Sequence, residues 1–543
     1  MNTAHTPPPA DGLAGFRAHW RDDLRAGFLV FLIALPLCLG ISMASGFPPF
    51  AGVLTAMIGG LVVSPLMGAR MTIKGPAAGL IVIALGAVEE LGHGDNLLGY
   101  KLALATIVVA GVIQVGFGLL RAGRLGDLFP SSAVHGMLAA IGIIIASKQI
   151  HVALGVRPEA REPLGLIAEI PHSLARMNEE IAVIGIGSLV ILFVWPLVAG
   201  RFARIIPGQM IVVGAGIIAG YLFDLGHEHR FSSLFGPQDV GPRFLVAVPE
   251  SLLRVVTFPD FSRVLSGASI KYVIMFALVG SIESLASAKA IDTLDPYHRR
   301  SDLDRDLIAT GVGNVIAGLI GGLPMISEIV RSSANVANGA KTRWANWHHG
   351  GMLVSFVCLV PGLVHRIPLA ALAAMLIFTG WRLASPKQFA HALHIGLEQL
   401  VTFLATVIAT LAIDLLAGIA VGILFEAASH VGRGVPFKRM FKFIVSRSDT
   451  ESSTTLRVGD AAVFTNWLGF SATLAAVPLD RRLTIDFTDT LLVDHSVLER
   501  LDEMKRERTH AGGELVVIGL ENHRPMSPHP LSSRVRLRPA LAR

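Results

Sequence analysis

The 543 residues are 52% hydrophobic and only 16% charged, with a mean hydropathy of +0.60; a soluble domain carries about a quarter charged residues. An ordinary soluble protein is excluded. The formal charge of +6 is spread over short loops rather than gathered on one face, so it orients a membrane protein and does not mark a nucleic-acid surface.

Residues 1–25 include Pro7, Pro8, Pro9, Arg17, Arg21 and Arg25 without a short apolar core followed by a small-residue cleavage site, so they are expected as a cytoplasmic amino-terminal segment and not as a signal peptide. A helix needs about 20 apolar residues to cross a bilayer. Apolar runs follow at 26–45, 49–68, 76–88, 100–120, 131–147, 181–200 and 207–224, then at 270–289, 306–322, 325–338, 350–365, 368–382, 398–413 and 416–431. The expected architecture is an all-α polytopic membrane domain over 26–432, with fourteen transmembrane segments in two sets of seven, about 26–224 and 269–432.

In each set the third run is too short or too polar to span alone and follows a breaker: Gly75-Pro76 in the first, Gly321-Gly322-Leu323-Pro324 in the second. Paired interruptions at corresponding places point to a 7+7 inverted repeat with its binding site between the broken helices. Arg70, Arg121, Arg124, Arg201, Arg204, Lys289, Arg299, Arg300, Arg305, Lys341, Arg343, Arg382 and Lys387 fall in loops on one side, so with an even number of spans both termini are expected in the cytoplasm.

A linker is expected over 433–453 and a small α/β domain over 454–522. Ala461 to Phe464, Leu483 to Phe487 and Leu515 to Ile518 read as strands, and Val493 to Arg508 as an amphipathic helix. Residues 523–543, with Pro525, Pro528 and Pro530, read as a flexible tail. Cys38 and Cys358 lie inside apolar runs, against a disulfide or thiolate metal site. His348 and His349 are adjacent on a helix, point about 100° apart and have no ligand cluster beside them. No phosphate-binding loop or nucleophile elbow is present, so no enzyme and no resident cofactor is expected.

Ala34-Leu35-Pro36-Leu37, Ile73 to Gly79, Phe129-Pro130 with Val134-His135-Gly136, Ile282-Glu283-Ser284-Leu285, Gly313-Asn314, Ile329 to Asn335 and Gly339 to Thr342 occur in that order. Together they resemble the SulP family of anion transporters, which includes prestin and the eukaryotic sulfate, chloride and bicarbonate exchangers. The carboxy-terminal domain resembles the STAS domain that closes most members. The resemblance implies core and gate domains, a homodimer in the inner membrane, elevator-type alternating access, and an anion held between the facing amino ends of the third and tenth helices. Those ends fall near Pro76-Ala77-Ala78 and Met325-Ile326-Ser327.

A helix amino terminus offers unpaired N–H groups and about half a positive charge, so two facing ends cradle an anion without side chains. Pro76, Ala77, Ala78, Gly79, Ile326 and Ser327 are the expected substrate-binding residues there, small enough for close approach and with one hydroxyl at Ser327. Lys74, Glu283, Glu328 and Arg331 are ionisable where charge costs about 2.5 to 3.5 kcal/mol, which marks them as functional candidates. Arg331 stands where the family carries an arginine beside its anion, and Lys74 needs a carboxylate partner, for which Glu328 is the expected choice. Glu283 lies one turn before Ser287, an arrangement able to hold Na⁺ or a proton. Related nucleobase transporters use carboxylates on the eighth and tenth helices, which places Glu328 beside Glu283 in coupling.

Two positive and two negative groups leave a pocket that a monoanion would turn negative, so Na⁺ or H⁺ symport of a small inorganic anion, bicarbonate or sulfate, is the expected activity. The alternatives are a nucleobase or dicarboxylate permease of the same fold, an anion channel, exchanger or motor, and a sensor built on a transport-dead body. Ser496, in Asp494-His495-Ser496, reads as a helix cap rather than a phosphorylation site.

Overall fold

The computed structural model describes residues 9–10, 12–123, 130–160, 162–198, 200, 206–233, 236–247, 256–297, 299–359, 361–413, 415–450, 452–510 and 512–537. Phe129, Arg124, Arg201 and Arg204 lie outside them. Two compact units result, Met1–Gly123 with Ile141–Arg382, and Arg124–Ala140 with Leu383–Arg543.

Each of the fourteen expected runs carries a helix. In the first set these are α1 (Gly12–Ala44), α2 (Phe50–Ile58, continued by a π-turn over Gly59–Val63), α3 (Ile81–Gly92), α4 (Asn96–Leu119), α5 (Ser131–Ala153), α7 (Glu179–Val198) and α8 (Gly208–Leu222), with an additional short helix α6 (Pro163–Ala175). The second set holds α9 (Gly267–Leu294), α10 (Leu303–Ile320), α11 (Ile329–Ala337), α12 (Trp344–Leu359), α14 (Leu369–Leu383), α16 (Leu397–Ala412) and α17 (Leu415–Gly432), with short helices α13 (Pro361–Val364) and α15 (Pro386–Ile395) between them. Seven of the described helices are long and apolar enough to span alone, and three more are apolar but shorter. The protein is a multi-pass membrane protein.

The first helix starts at Gly12, well inside the segment expected to precede it. Its early turns are held from outside. Phe16 packs its ring on Trp344 and Trp347, and buried Asp23 accepts the Lys341 and Thr342 amides at 2.8 and 3.0 Å.

The two interrupted runs are the organising feature of the first unit. Lys74–Pro76 forms strand β1 and Met325–Ser327 strand β4, paired antiparallel with Lys74 opposite Ser327, Gly75 opposite Ile326 and Pro76 opposite Met325. Gly321 closes α10 at φ 98°, a left-handed conformation that a side chain disfavours, and the chain turns through Gly322 to Pro324 into β4. Half-helices α3 and α11 leave the two strands. Strands β2 (His229–Ser233) and β3 (Gly236–Val240) form a separate hairpin.

In the second unit α15, α16 and α17 run into α18 (Phe437–Met440) and a small α/β region, of the class expected for a STAS domain. It contains β5 (Val445–Asp449), β6 (Ser453–Val458), β7 (Asp460–Ala462), α19 (Trp467–Ala475), β8 (Arg482–Asp486), β9 (Thr490–Val493), α20 (His495–His510), β10 (Leu515–Ile518), β11 (His523–Pro525) and β12 (Arg534–Arg536). One sheet runs β10-β8-β6-β5, with β8 parallel to both neighbours, and a second runs β11-β12-β9-β7. Two expected boundaries differ. Strand β5 begins inside the expected linker, and the expected tail carries β11 and β12, because Arg534 and Val535 pair with Val493 and Leu492 while Val535 packs against the buried Val435, Ala461 and Leu492.

Candidate functional site

The sequence-expected residues Lys74, Pro76, Ala77, Ala78, Gly79, Ile326, Ser327, Glu328, Arg331, Glu283 and Ser287 gather around the β1–β4 crossing and the face of α9. All but the half-buried Ala78 are buried. Alternation along the two short strands sorts them. Lys74 and Ser327 are cross-strand partners, while Glu328 is one residue on and turns to the other side.

That alternation corrects the expected pairing of Lys74. Its ammonium meets Asp306, not Glu328: Nζ lies 2.6 Å from Asp306 Oδ2, 2.9 Å from Thr310 Oγ1 and 2.7 Å from Ser327 Oγ. Lys74 and Asp306 are fully buried. Ser284 on α9 accepts the Ser327 amide at 3.1 Å, so Ser327 is held from three elements. With all three donor positions of the ammonium filled by protein, Lys74 fixes the crossing rather than offering a free charge to a ligand.

Asn314, on the same face of α10, completes the frame. Its amide donates to Met325 O at 3.1 Å and to Gln114 Oε1 at 2.7 Å, and its Oδ1 accepts the Met325 amide at 2.6 Å. Glu328 N donates to Ile73 O at 2.9 Å, and Ser332 Oγ accepts the Ile73 amide at 2.8 Å. The strands thus keep their backbone groups satisfied in the middle of an apolar bundle, a condition for breaking a helix within the membrane.

Arg331 is 1% exposed and reaches back over β1, with Nη1 3.4 Å from Cys38 Sγ and Nη2 3.4 Å from Pro76 O. Its Nε has no partner. Glu283, 6% exposed, has neither carboxylate oxygen hydrogen-bonded. A Cβ on Gly79 would collide with that carboxylate, so the small residue at the start of α3 admits Glu283. Ser287 lies one turn further along α9 and is 9% exposed.

Asp306, Thr310, Gln114 and Ser284 were not anticipated as site residues. Asp306, Thr310 and Asn314 recur at intervals of four on an apolar helix, which is the signal that could have found them. His348 and His349 have no metal-ligand partners, and no cluster of three or more metal-ligating side chains occurs among the described residues.

Compared with known proteins, residues 20–406 match the sulfate permease family. The chain belongs to that family. YvdB of Bacillus subtilis is 28% identical over 418 residues, covering 76% of this chain and 74% of its own. Bicarbonate transporter BicA of Synechocystis is 24% identical over 449 residues, covering 82% and 76%. In fold, this sulfate permease family member is similar to the transmembrane domain of a cyanobacterial BicA, with a TM-score of 0.64 at 22% identity over 74% of this chain and 98% of that one. It is also similar to SLC26A9, with a TM-score of 0.65 at 15% identity over 93% and 85%. The family consists of transporters, and an anion-transporting, non-enzymatic role follows.

Proposed function

We propose that this protein is a secondary active transporter of a small inorganic anion, bicarbonate or sulfate, coupled to Na⁺ or H⁺. The antiparallel β1–β4 crossing carries the proposal, because it brings the starts of two half-helices and the buried Arg331 to one place. Helix amino ends and a guanidinium attract an anion, and the apolar surroundings strengthen that attraction. The family name and the bicarbonate transporter among its relatives support these two substrates.

Charge balance supports coupling. Lys74 and Arg331 face Glu283, Glu328 and Asp306 in the buried site, two formal positive charges against three negative. An anion entering with all five ionised deepens the deficit, and a cation or proton at Glu283 offsets it. Both oxygens of Glu283 are without a hydrogen bond, which suits either occupant, and Ser287 stands one turn away as a second ligand. Elevator-type movement, an inner-membrane location with cytoplasmic termini, and homodimeric assembly accompany this proposal on family resemblance.

Uptake of labelled sulfate and bicarbonate into proteoliposomes, with imposed Na⁺ and pH gradients, tests it. Uptake of either anion that rises with one gradient is the expected result. Transport of neither anion, or transport indifferent to both gradients, refutes the substrate or the coupling respectively.

A further inference from the structure

The first helix is longer than the hydrocarbon layer requires. Its 33 residues, Gly12–Ala44, extend about 50 Å, against about 30 Å of hydrocarbon and about 40 to 45 Å for a bilayer with its headgroup layers. The apolar run begins only at Ala26, so Gly12 to Arg25 emerge from the hydrocarbon into one headgroup layer. Aromatic rings mark the same depth. Trp344 Nε1 donates to Gly12 O at 2.8 Å, Phe16 packs edge-on against Trp344 and Trp347, and Trp20 follows one turn later. Three of the chain's six tryptophans thus gather around the first turns of α1, and tryptophan collects where a bilayer meets water.

The helix is also fixed in rotation. A Cβ on Gly15 would approach Thr342, one on Gly27 would strike the Ala345 carbonyl, and Asp23 accepts the Lys341 and Thr342 amides. That side is turned toward α12 and the residues before it. At 100° per residue, Leu13, Arg17, Trp20, Arg21, Arg25 and Phe28 fall on the opposite side within an arc of about 140°. All six are exposed, the three apolar ones by 69%, 44% and 47%.

None of the three arginines has a carboxylate partner among the described residues. Arg21 lies over the Trp20 ring, its guanidinium carbon 5.3 Å from the centroid, an arrangement that leaves the N–H edges for another acceptor. Of the two acids in the segment, Asp22 lies outside the arc and Asp23 is buried.

We propose that this face of α1 is a binding surface for the headgroup of an anionic phospholipid. Its charge pattern and its depth select that occupant. Guanidinium groups pair with phosphate oxygens in two-pronged fashion, and three of them unopposed by carboxylates favour a headgroup of net negative charge over a zwitterionic one that carries its own cation. Leu13, Trp20 and Phe28 stand among the arginines and supply apolar contact for the upper part of the acyl chains. The inference is independent of the anion site at the β1–β4 crossing.

The test is native mass spectrometry of the purified full-length protein in detergent, titrated with an equimolar mixture of phosphatidylglycerol and phosphatidylcholine bearing the same chains. Wild type is expected to retain phosphatidylglycerol by about tenfold or more. Arg17→Gln, Arg21→Gln and Arg25→Gln should each lower that preference by about fivefold until parity is reached, and the triple variant should show none. Arg447→Gln, Arg457→Gln and Arg482→Gln together, which make the same change of charge in the carboxy-terminal domain, should leave the preference as it was. Excess inorganic phosphate should not displace the lipid, because it lacks the chains.

Equal retention of the two lipids by wild type overturns the proposal. So does a triple variant that melts cooperatively yet keeps the wild-type preference, and if the triple variant does not fold, the single variants at these exposed positions decide in the same way. A loss as large in the carboxy-terminal control would reduce the effect to net charge, and displacement by phosphate would make the site one for a free anion; either result also overturns it.

Discussion

Lys74 Nζ and Asp306 Oδ2 stand 2.6 Å apart with neither side chain exposed, and they join the first broken helix to a helix of the second repeat. Removing one partner leaves an uncompensated charge in an apolar interior, which is expected to cost about 3 to 5 kcal/mol. Lys74→Met and Asp306→Leu are therefore each expected to destabilise the protein by that order, while the double variant recovers most of the loss. Thermal unfolding of the four proteins in detergent gives the coupling directly. Additive losses would show that the pair is not a unit.

Gly79 makes a narrower prediction. Its missing Cβ is the space that the Glu283 carboxylate occupies. Gly79→Ala should displace Glu283 from the start of α3, at an overpacking cost of about 1 to 3 kcal/mol. Uptake should fall by about tenfold or more, and Glu283→Ala in the same chain should relieve the loss of thermal stability without restoring cation-dependent uptake. An alanine variant with wild-type transport kinetics would remove Glu283 from the site.

The broken helices were legible because Gly75-Pro76 and Gly321 to Pro324 interrupt otherwise apolar text at matching places. What lay beyond reach was pairing across long sequence distance. Asp306 sits in Leu303-Asp304-Arg305-Asp306, a charged stretch that reads like a solvated helix start, and only the fold carries it inward to Lys74, 232 residues away. Strands β11 and β12 escaped for the same reason: Arg-rich, proline-punctuated text becomes a strand because β9 supplies its ladder partners. Lys74 was expected to pair with Glu328 and pairs with Asp306 instead, since strand alternation depends on a register that hydropathy does not show.

Asn314 should prove intolerant of its closest isosteres. Its amide satisfies both the N–H and the C=O of Met325, and Gln114 as well. Asn314→Ala strands three buried polar groups, for an expected cost of about 2 to 4 kcal/mol. Asn314→Asp keeps the acceptor for the Met325 amide but places an oxygen opposite Met325 O and Gln114 Oε1, so uptake should fall about as far as with alanine. Near-normal uptake by the aspartate variant would show that the donor contacts are dispensable.

In the second unit, Asp494 precedes α20 with its carboxylate buried, accepting the Phe464 amide at 2.6 Å and the Val497 amide at 2.8 Å, with His430 Nε2 at 3.9 Å. Burial pushes the Asp494 carboxyl above its ordinary value, outweighing the pull of His430 and the two amides. Folding therefore favours the protonated form. The associated stability is fully present below the ordinary aspartate value of about 4 and is lost as pH rises through the raised folded value. Asp494→Asn removes the titration, keeps one amide acceptor and gives up the other, at a cost of about 1 kcal/mol. Denaturation of the full-length protein between about pH 4 and 7 should show wild type losing stability across that window and the asparagine variant losing less. Parallel curves for the two would mean that Asp494 is already ionised throughout, its charge sustained by His430 and the paired amides.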